Sequence, residues 1–361
     1  MKIGILGLPA SGKTTIFNSL TRGKADVGGF GATRSANIGV AHVPDERVDI
    51  LTKMFKSKKT IYAEVQYVDL PGSSSGELFE GEAMAQLQQV DAILHVARAF
   101  EDGSVPHLEG TVDYKRDIEK VAFDILFADI ALLERRVERL TGSLKTMKVS
   151  DRDEANKNID ILKRIQGDLE NGIAIRDRDL EASEIKAMSD TFTLSSLPLL
   201  VALNIGEDDV ANTEALEQEL DGLLDGRLTG GAAICGSLEA ELVGMSEEEE
   251  TEMRAGLDAG EPGLSRMIKV SYKVLGLNSF LTVGEDETRA WTVKIGALAP
   301  KAAAVIHSDI ERGFIRAETV AYKDFIAAGT MAEARNRGQF RQEGREYVVQ
   351  DGDILNFLFS V

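Results

Sequence analysis

Eight residues near the start of the chain, Gly7-Leu8-Pro9-Ala10-Ser11-Gly12-Lys13-Thr14, are of the types that hold a polyphosphate, and at the required spacing. The glycines let the backbone curl so that successive N–H groups face one anion. A lysine at this offset reaches the outer phosphates as a point charge, and the hydroxyl directly after it is placed to ligate Mg2+. The pattern assigns the phosphates to Gly7, Pro9, Ala10, Ser11, Gly12, Lys13, Thr14 and Thr15, with Lys13 also stabilising charge on the outer phosphate. The alternative is a glycine-rich surface loop with a solvated lysine, and the flanking segments argue against it. Ile3 to Leu6 is an apolar run that predicts a buried strand, and Thr15 to Leu20 predicts the start of a helix, whose positive dipole end adds to the same anion site.

Three further segments complete such a site. Gly28 to Thr33 is too glycine-rich for regular structure, and Thr33 is either a metal ligand that closes over Mg2+ or an ordinary loop threonine. The strand predicted over Ala63 to Val68 ends in Asp69-Leu70-Pro71-Gly72. An aspartate at the carboxyl end of a strand beside a phosphate loop anchors Mg2+, and the Gly72 amide can approach the outermost phosphate. Strands predicted at Leu197 to Leu203 and Ala232 to Cys235 end in Asn204-Ile205-Gly206-Glu207 and in Gly236. In GTP-binding folds these two strand ends hold the base, which makes Asn204, Glu207, Cys235 and Gly236 the base-side candidates. Ile205 stands where a lysine stem would lie along guanine, and Glu207 stands where aspartate reads N1–H and the 2-amino group. Adenine lacks both of those donors, so the departures weaken the case for GTP and leave room for ATP.

The chain has 361 residues, a formal net charge of −19 and a single cysteine, Cys235, so an internal disulfide is excluded. The four histidines have no zinc-like spacing, and no apolar run approaches the length of a membrane span. Met1-Lys2 leads straight into a strand, so no signal peptide is expected and the expected compartment is the cytoplasm. The negative charge opposes non-specific wrapping of nucleic acid. From Leu277 onward, however, ten Lys/Arg stand against twelve Asp/Glu, so any contact to RNA is expected there.

Lys115 to Met147 carries an apolar stripe at three-four spacing, and Ile159, Leu162, Ile165 and Leu169 carry a second. These predict an antiparallel helical hairpin inserted in an α/β domain, with a capped restart at Asp151. His95 falls in an apolar strand and reads as an interior histidine. Ser246 with Glu249 makes a capping box. Beyond Gly276 a strand at Arg289 to Val293, a helix at Ala299 to Ile306, a strand at Phe314 to Ala321 and a hairpin about Asp351-Gly352 predict a small α+β module. The expected fold class is α/β with a mostly parallel sheet, divided as residues 1–122, 123–193 (the hairpin), 194–276 and 277–361.

The chain resembles the YchF or Obg-like ATPase family, a branch of the P-loop GTPase superfamily. The resemblance is carried by Gly7 to Asn18, Val43-Pro44-Asp45, Val68-Asp69, Asp91 to Val96, Glu261-Pro262-Gly263-Leu264, Arg289 to Val293, Gly313 to Glu318 and Val349 to Asp353. It implies a G domain interrupted by the hairpin and a C-terminal β-grasp module of the TGS type. It implies an Asn-x-x-Glu base motif at Asn204 and Glu207, with ATP bound as well as or better than GTP together with Mg2+. It also implies a catalytic or γ-phosphate-sensing role for His107. The implied partner is the ribosome, as the large subunit or the whole 70S-type particle, reached through the TGS module, with no membrane and no DNA. The chain departs from the family pattern at Ser73, where the family has a hydrophobic residue, and in Ser73 to Glu80, shorter by about four residues than the family's switch.

The leading functional expectation is therefore a slow ATPase acting as a switch in translation or stress regulation. A nucleotide-binding scaffold that scarcely hydrolyses is the alternative. A P-loop phosphotransferase would need an arginine-rich lid, whereas the hairpin is acidic and apolar.

Overall fold

Six of the first seven strands form one sheet. In the computed structural model, which describes residues 1–23, 37–70, 79 and 81–360, the first seven strands are β1 (Lys2–Leu6), β2 (Asn37–His42), β3 (Lys59–Ile61), β4 (Glu64–Asp69), β5 (Ala92–Ala99), β6 (Leu199–Ile205) and β7 (Thr229–Ile234). All but β3 belong to a sheet of order β2-β4-β1-β5-β6-β7. The β4·β1, β1·β5, β5·β6 and β6·β7 pairings are parallel. All seven residues of β6 are buried, as expected of a central parallel strand covered on both faces.

Helices α1 (Lys13–Thr21), α2 (Glu46–Phe55), α3 (Gly81–Leu87), α4 (Tyr114–Ser143), α5 (Val149–Glu170), α6 (Ala182–Met188), α7 (Thr213–Leu223), α8 (Gly236–Leu242), α9 (Glu247–Gly256) and α10 (Gly263–Val274) lie between or after these strands. The predicted stripes meet: Leu133 of α4 packs with Leu162, Ile165 and Leu169 of α5, and Val137 and Leu140 lie against the same cluster. Asp151 does not cap α5, which begins two residues earlier and has Lys148 at its N-cap. Ser246 does cap α9, its hydroxyl accepting from Glu249 N while the Glu249 carboxylate accepts from Ser246 N. No helix among the described residues is long and apolar enough to cross a membrane.

The described chain divides into two units, Met1–Val40 with Gln66–Val270, and Ala41–Val65 with Ser271–Val361. The second unit adds β8 (Leu277–Val283), β9 (Glu287–Lys294), β10 (Phe314–Ala321), β11 (Arg341–Glu343) and β12 (Asp353–Phe359) in the order β11-β10-β12-β8-β9-β3. Helix α11 (Ala299–Ile306) buries Ala299, Ala302 and Ala303 against Phe280, Phe314 and Phe357 of this sheet. This is the small α+β module expected, with one addition from far upstream. Residues 41–65, assigned from sequence to the first part of the nucleotide domain, belong to it because β3 pairs in parallel with β9, Lys59 opposite Glu287.

The hairpin expected about Asp351-Gly352 is not formed. β12 lies antiparallel to β10 and parallel to β8, and no strand runs through 344–350. Asp351 Oδ1 accepts instead from Ser279 N at 2.9 Å, and Asp351 Oδ2 from Arg47 Nη1 of α2 at 2.7 Å.

Candidate functional site

The phosphate-loop residues sit between the end of β1 and the first turn of α1. Ala10 has φ 62° and Gly12 has φ 84°, so two left-handed residues flank Ser11 and turn the loop back on itself. Gly12 is obligatory twice over: its φ strains other residues, and a Cβ there would lie 2.2 Å from Asn204 Nδ2. Ser11 is buried, and its Oγ has no hydrogen-bond partner among the described residues. Gly7 is buried, Pro9, Lys13, Thr14 and Thr15 are half-buried, and Ala10 is exposed.

Thr14 Oγ1 donates to Asp69 Oδ2 at 3.1 Å across 55 residues of sequence. The sheet register produces this meeting, since Asp69 at the end of β4 lies opposite Ile5 of β1. Asp69 is 6% exposed, and burial pushes its carboxyl above the usual carboxylate range against the opposing pull of the Lys13 charge and the Thr14 hydroxyl. Its Oδ1 has no hydrogen-bond partner among the described residues. The Thr14 hydroxyl and the unpartnered Asp69 oxygen are hard-oxygen donors of the kind that suit Mg2+, which would take its other ligands from phosphate and water, whereas the Lys13 ammonium suits the phosphate and not the metal. Among the described residues no cluster of three or more His, Cys, Asp or Glu offers a metal site made of protein alone. Thr33 and Gly72, the other residues expected here, lie outside the described residues, as does Ser73.

Asn204 ties the site together. Its Nδ2 donates to Ser11 O at 2.9 Å and its Oδ1 accepts from Gly236 N at 3.1 Å, so one amide joins the phosphate loop to the β7–α8 turn. A Cβ on Gly236 would lie 2.8 Å from that Oδ1, which explains glycine there. A primary amide has two N–H groups and two lone pairs on oxygen, so one of each remains. Cys235 is buried at the N-cap of α8, with its Sγ 3.4 Å from Ser237 Oγ. Glu207 opens a 3-10 turn and is exposed, whereas Ile205 is buried.

His107 is held differently from the sequence expectation. Its Nε2 is 2.8 Å from Asp117 Oδ2 with both side chains buried, and its Nδ1 accepts from Glu109 N at 3.1 Å. With Nδ1 accepting, Nε2 carries the proton that Asp117 receives. Arg116 donates to the other oxygen of Asp117 through Nε at 3.1 Å and Nη2 at 2.9 Å. Both ring nitrogens are thus engaged with protein atoms.

Two residues at the end of β5 escaped the sequence reading. Phe100 is half-buried beside the site: its Cε1 would be 3.9 Å from a Cβ on Gly12, and its Cβ 3.7 Å from a Cβ on Gly206. Arg98 is 2% exposed and stacks on the Phe100 ring, its guanidinium carbon 4.6 Å from the centroid. The available signal was an arginine inside an otherwise apolar strand.

A parallel sheet whose first strand feeds a phosphate loop, a Thr–Asp pair at the loop's helix and an asparagine amide tied to that loop define a P-loop nucleotide-binding protein of the G-domain type. Residues 2–128 match the family model MMR_HSR1, described as 50S ribosome-binding GTPase, and residues 277–360 match YchF-GTPase_C, described as a protein of unknown function. The chain is 38% identical over 365 residues to "Ribosome-binding ATPase YchF" of Bacillus subtilis, covering 99% of each. It is 36% identical over 366 residues to the protein of that name in Escherichia coli O157:H7, covering 100% of this chain and 99% of that one. The solved structure of the Schizosaccharomyces pombe YchF GTPase superposes with a TM-score of 0.84 at 28% identity, over 99% of this chain and 97% of that one. The chain belongs to the YchF family.

Proposed function

We propose that the protein is a nucleotide-dependent switch, a slow Mg2+-dependent ATPase that associates with ribosomes in the cytoplasm and regulates translation or the stress response. The observation that carries the reading is the Thr14–Asp69 hydrogen bond, which sets a hydroxyl and a buried carboxylate together beside Lys13. Mg2+, when bound, would neutralise charge on the phosphates, with Thr14, Asp69 and Thr33 as its protein oxygens. Lys13 would meet the outer phosphates, the backbone N–H groups between Gly7 and Thr15, of which Pro9 has none, would hold the inner ones, and Gly72 would approach the outermost.

On the base side Asn204, Glu207, Cys235 and Gly236 line one edge, and the Phe100 ring stands where a base can lie against it. Ile205 is buried and offers no cationic stem, and Glu207 replaces the guanine-reading aspartate, which supports ATP as at least equal to GTP. Slow turnover follows from His107, whose ring would have to leave Glu109 N before it could accept from a water. The same engagement favours the second reading, a nucleotide-dependent scaffold with little hydrolysis. Ribosome association is supported by the names of the relatives and by the description of the domain matched by residues 2–128. The nearly balanced charge of residues 277–361 makes that module the better candidate for contact with the large subunit and its RNA.

The test is a titration of ATP and GTP analogues, followed by phosphate release with and without ribosomes. ATP is expected to bind at least as tightly as GTP, and Lys13→Ala to abolish triphosphate binding while the protein stays folded. A tenfold preference for GTP, about 1.4 kcal/mol, would overturn the base reading. Unaltered affinity in Lys13→Ala would overturn the phosphate site. Turnover that stays negligible with ribosomes present would select the scaffold.

A further inference from the structure

We infer that Arg98 is a positioning residue for the nucleobase, holding the turn after β5 so that Phe100 stands against the base-reading segment. The inference rests on the base-side placement of Phe100 proposed above.

Arg98 is among the largest fully buried side chains, and the carboxylate that feels its charge, Asp102, is exposed and makes no ion pair with it among the described residues. Its guanidinium instead gathers backbone carbonyls from one short turn. Nε donates to Phe100 O at 3.1 Å, and Nη2 to Val105 O at 3.0 Å with a longer contact to Asp102 O at 3.5 Å. The Nη1 group has no partner among the described residues. Burying a cation whose counter-charge stays exposed in solvent is unfavourable, and leaving one of its donors unpaired adds to the penalty. An apolar chain such as methionine could fill the same space without either, so packing does not account for arginine here. What arginine alone supplies is a rigid planar fork that reaches several carbonyls at once while stacking on a ring.

The turn so held is in the right place. In the β5·β6 register Arg98 lies opposite Asn204 and Ala99 opposite Ile205, so Phe100 leaves the sheet beside Gly206, inside the Asn204–Glu207 segment. One ring face is covered by the Arg98 guanidinium. With the turn fixed, the remaining surface of Phe100 is a wall present before nucleotide arrives, and binding need not order it.

The test measures affinity of the full-length protein for a non-hydrolysable ATP analogue and for inorganic tripolyphosphate, by calorimetry with Mg2+ present. Phe100→Ala and Arg98→Lys are each expected to weaken the analogue about tenfold, to leave tripolyphosphate unchanged, and to lose no more in combination, because both act through one ring. Loss with Phe100→Ala but wild-type affinity with Arg98→Lys would overturn the role of Arg98. A parallel loss of both ligands in Arg98→Lys would overturn it too, since that is general disruption of the site. Wild-type affinity with Phe100→Ala would instead overturn the base-side placement of Phe100. If Arg98→Lys does not fold, the wild-type protein decides through amide hydrogen exchange over residues 100–105. Slowing by the analogue but not by tripolyphosphate is expected, and equal slowing or none overturns the inference.

Discussion

The Thr14 hydroxyl donates to Asp69 Oδ2, and the other oxygen of this buried carboxylate has no partner among the described residues. The pair therefore leaves a buried acceptor unsatisfied in the empty protein. Burial raises the Asp69 pKa in the folded state, so its contribution to stability is fully present below the unfolded value and is lost as pH rises through the folded one. Relative to a neutral side chain of the same shape, this carboxyl therefore costs the empty fold stability as pH rises. Asp69→Asn is expected to raise the thermal midpoint of the nucleotide-free protein at neutral pH, with the gain shrinking toward about pH 4, and to lose at least tenfold in Mg2+-dependent nucleotide affinity. A lower midpoint at neutral pH, measured by calorimetric unfolding, would contradict this account.

Gly12 gives a sharper steric case. Gly12→Ala must hold φ near 84° and displace the Asn204 amide, whose Nδ2 would be 2.2 Å from the new Cβ. Strain of this kind costs roughly 1–3 kcal/mol. Denaturant unfolding should show that loss, and nucleotide binding should fall with it because Ser11 and Gly236 both hang on Asn204. Unchanged stability would mean that the loop has another conformation available.

His95 is 1% exposed on β5, as expected of an interior histidine, but its Nε2 has no partner among the described residues. Burial pushes its pKa down to about 3. The folded value lies below the unfolded one, so stability present above about pH 6.5 is lost as pH falls toward the folded value. In His95→Leu the thermal midpoint should fall less between neutral pH and about pH 5 than in the wild type. Equal acid sensitivity would place the titrating group elsewhere.

The arginines near the C-terminus are less free than their spacing suggests. Arg337 pairs with Glu333 at 2.8 Å, Arg341 lies 3.6 Å from Glu343, and Arg335 lies 3.8 Å from Glu318. Arg345 donates to Phe314 O. Such exposed pairs are weak and screened by solvent, so they can be exchanged for phosphate oxygens. Reversing Arg337 and Arg341 to Glu is expected to weaken ribosome co-sedimentation several-fold, more steeply as salt rises, without changing ATP affinity. Unchanged co-sedimentation at low and moderate salt would move the contact off this face.

What could be read in advance was local. The strand–loop–helix around Gly12, Lys13 and Thr14 is announced by its spacing, and the α4–α5 seam by its stripe, because both depend on neighbours a few residues away. β3 has only Lys59, Thr60 and Ile61, none of them buried, and gains its partner from Glu287 to Arg289, so no alternation marks it. Asp351-Gly352 has the composition of a tight hairpin, yet Ser279 N and Arg47 compete for the same carboxylate and win. Arg98 looks like an interruption of a strand until its carbonyl partners, up to seven residues further along, are in view.

The place of residues 41–65 in the second unit sets a timetable for synthesis. Lys58 and Asp286, which pair beside the β3–β9 ladder, are 228 residues apart. At about 5–20 residues per second, α2 and β3 leave the ribosome roughly ten to fifty seconds before the strand they pair with has been made. Through that interval Val48 and Leu51 of α2, both fully buried in the finished fold, await most of their module. The nucleotide-binding strands on either side can assemble meanwhile, leaving this excursion of the nascent chain as a loop to be captured last.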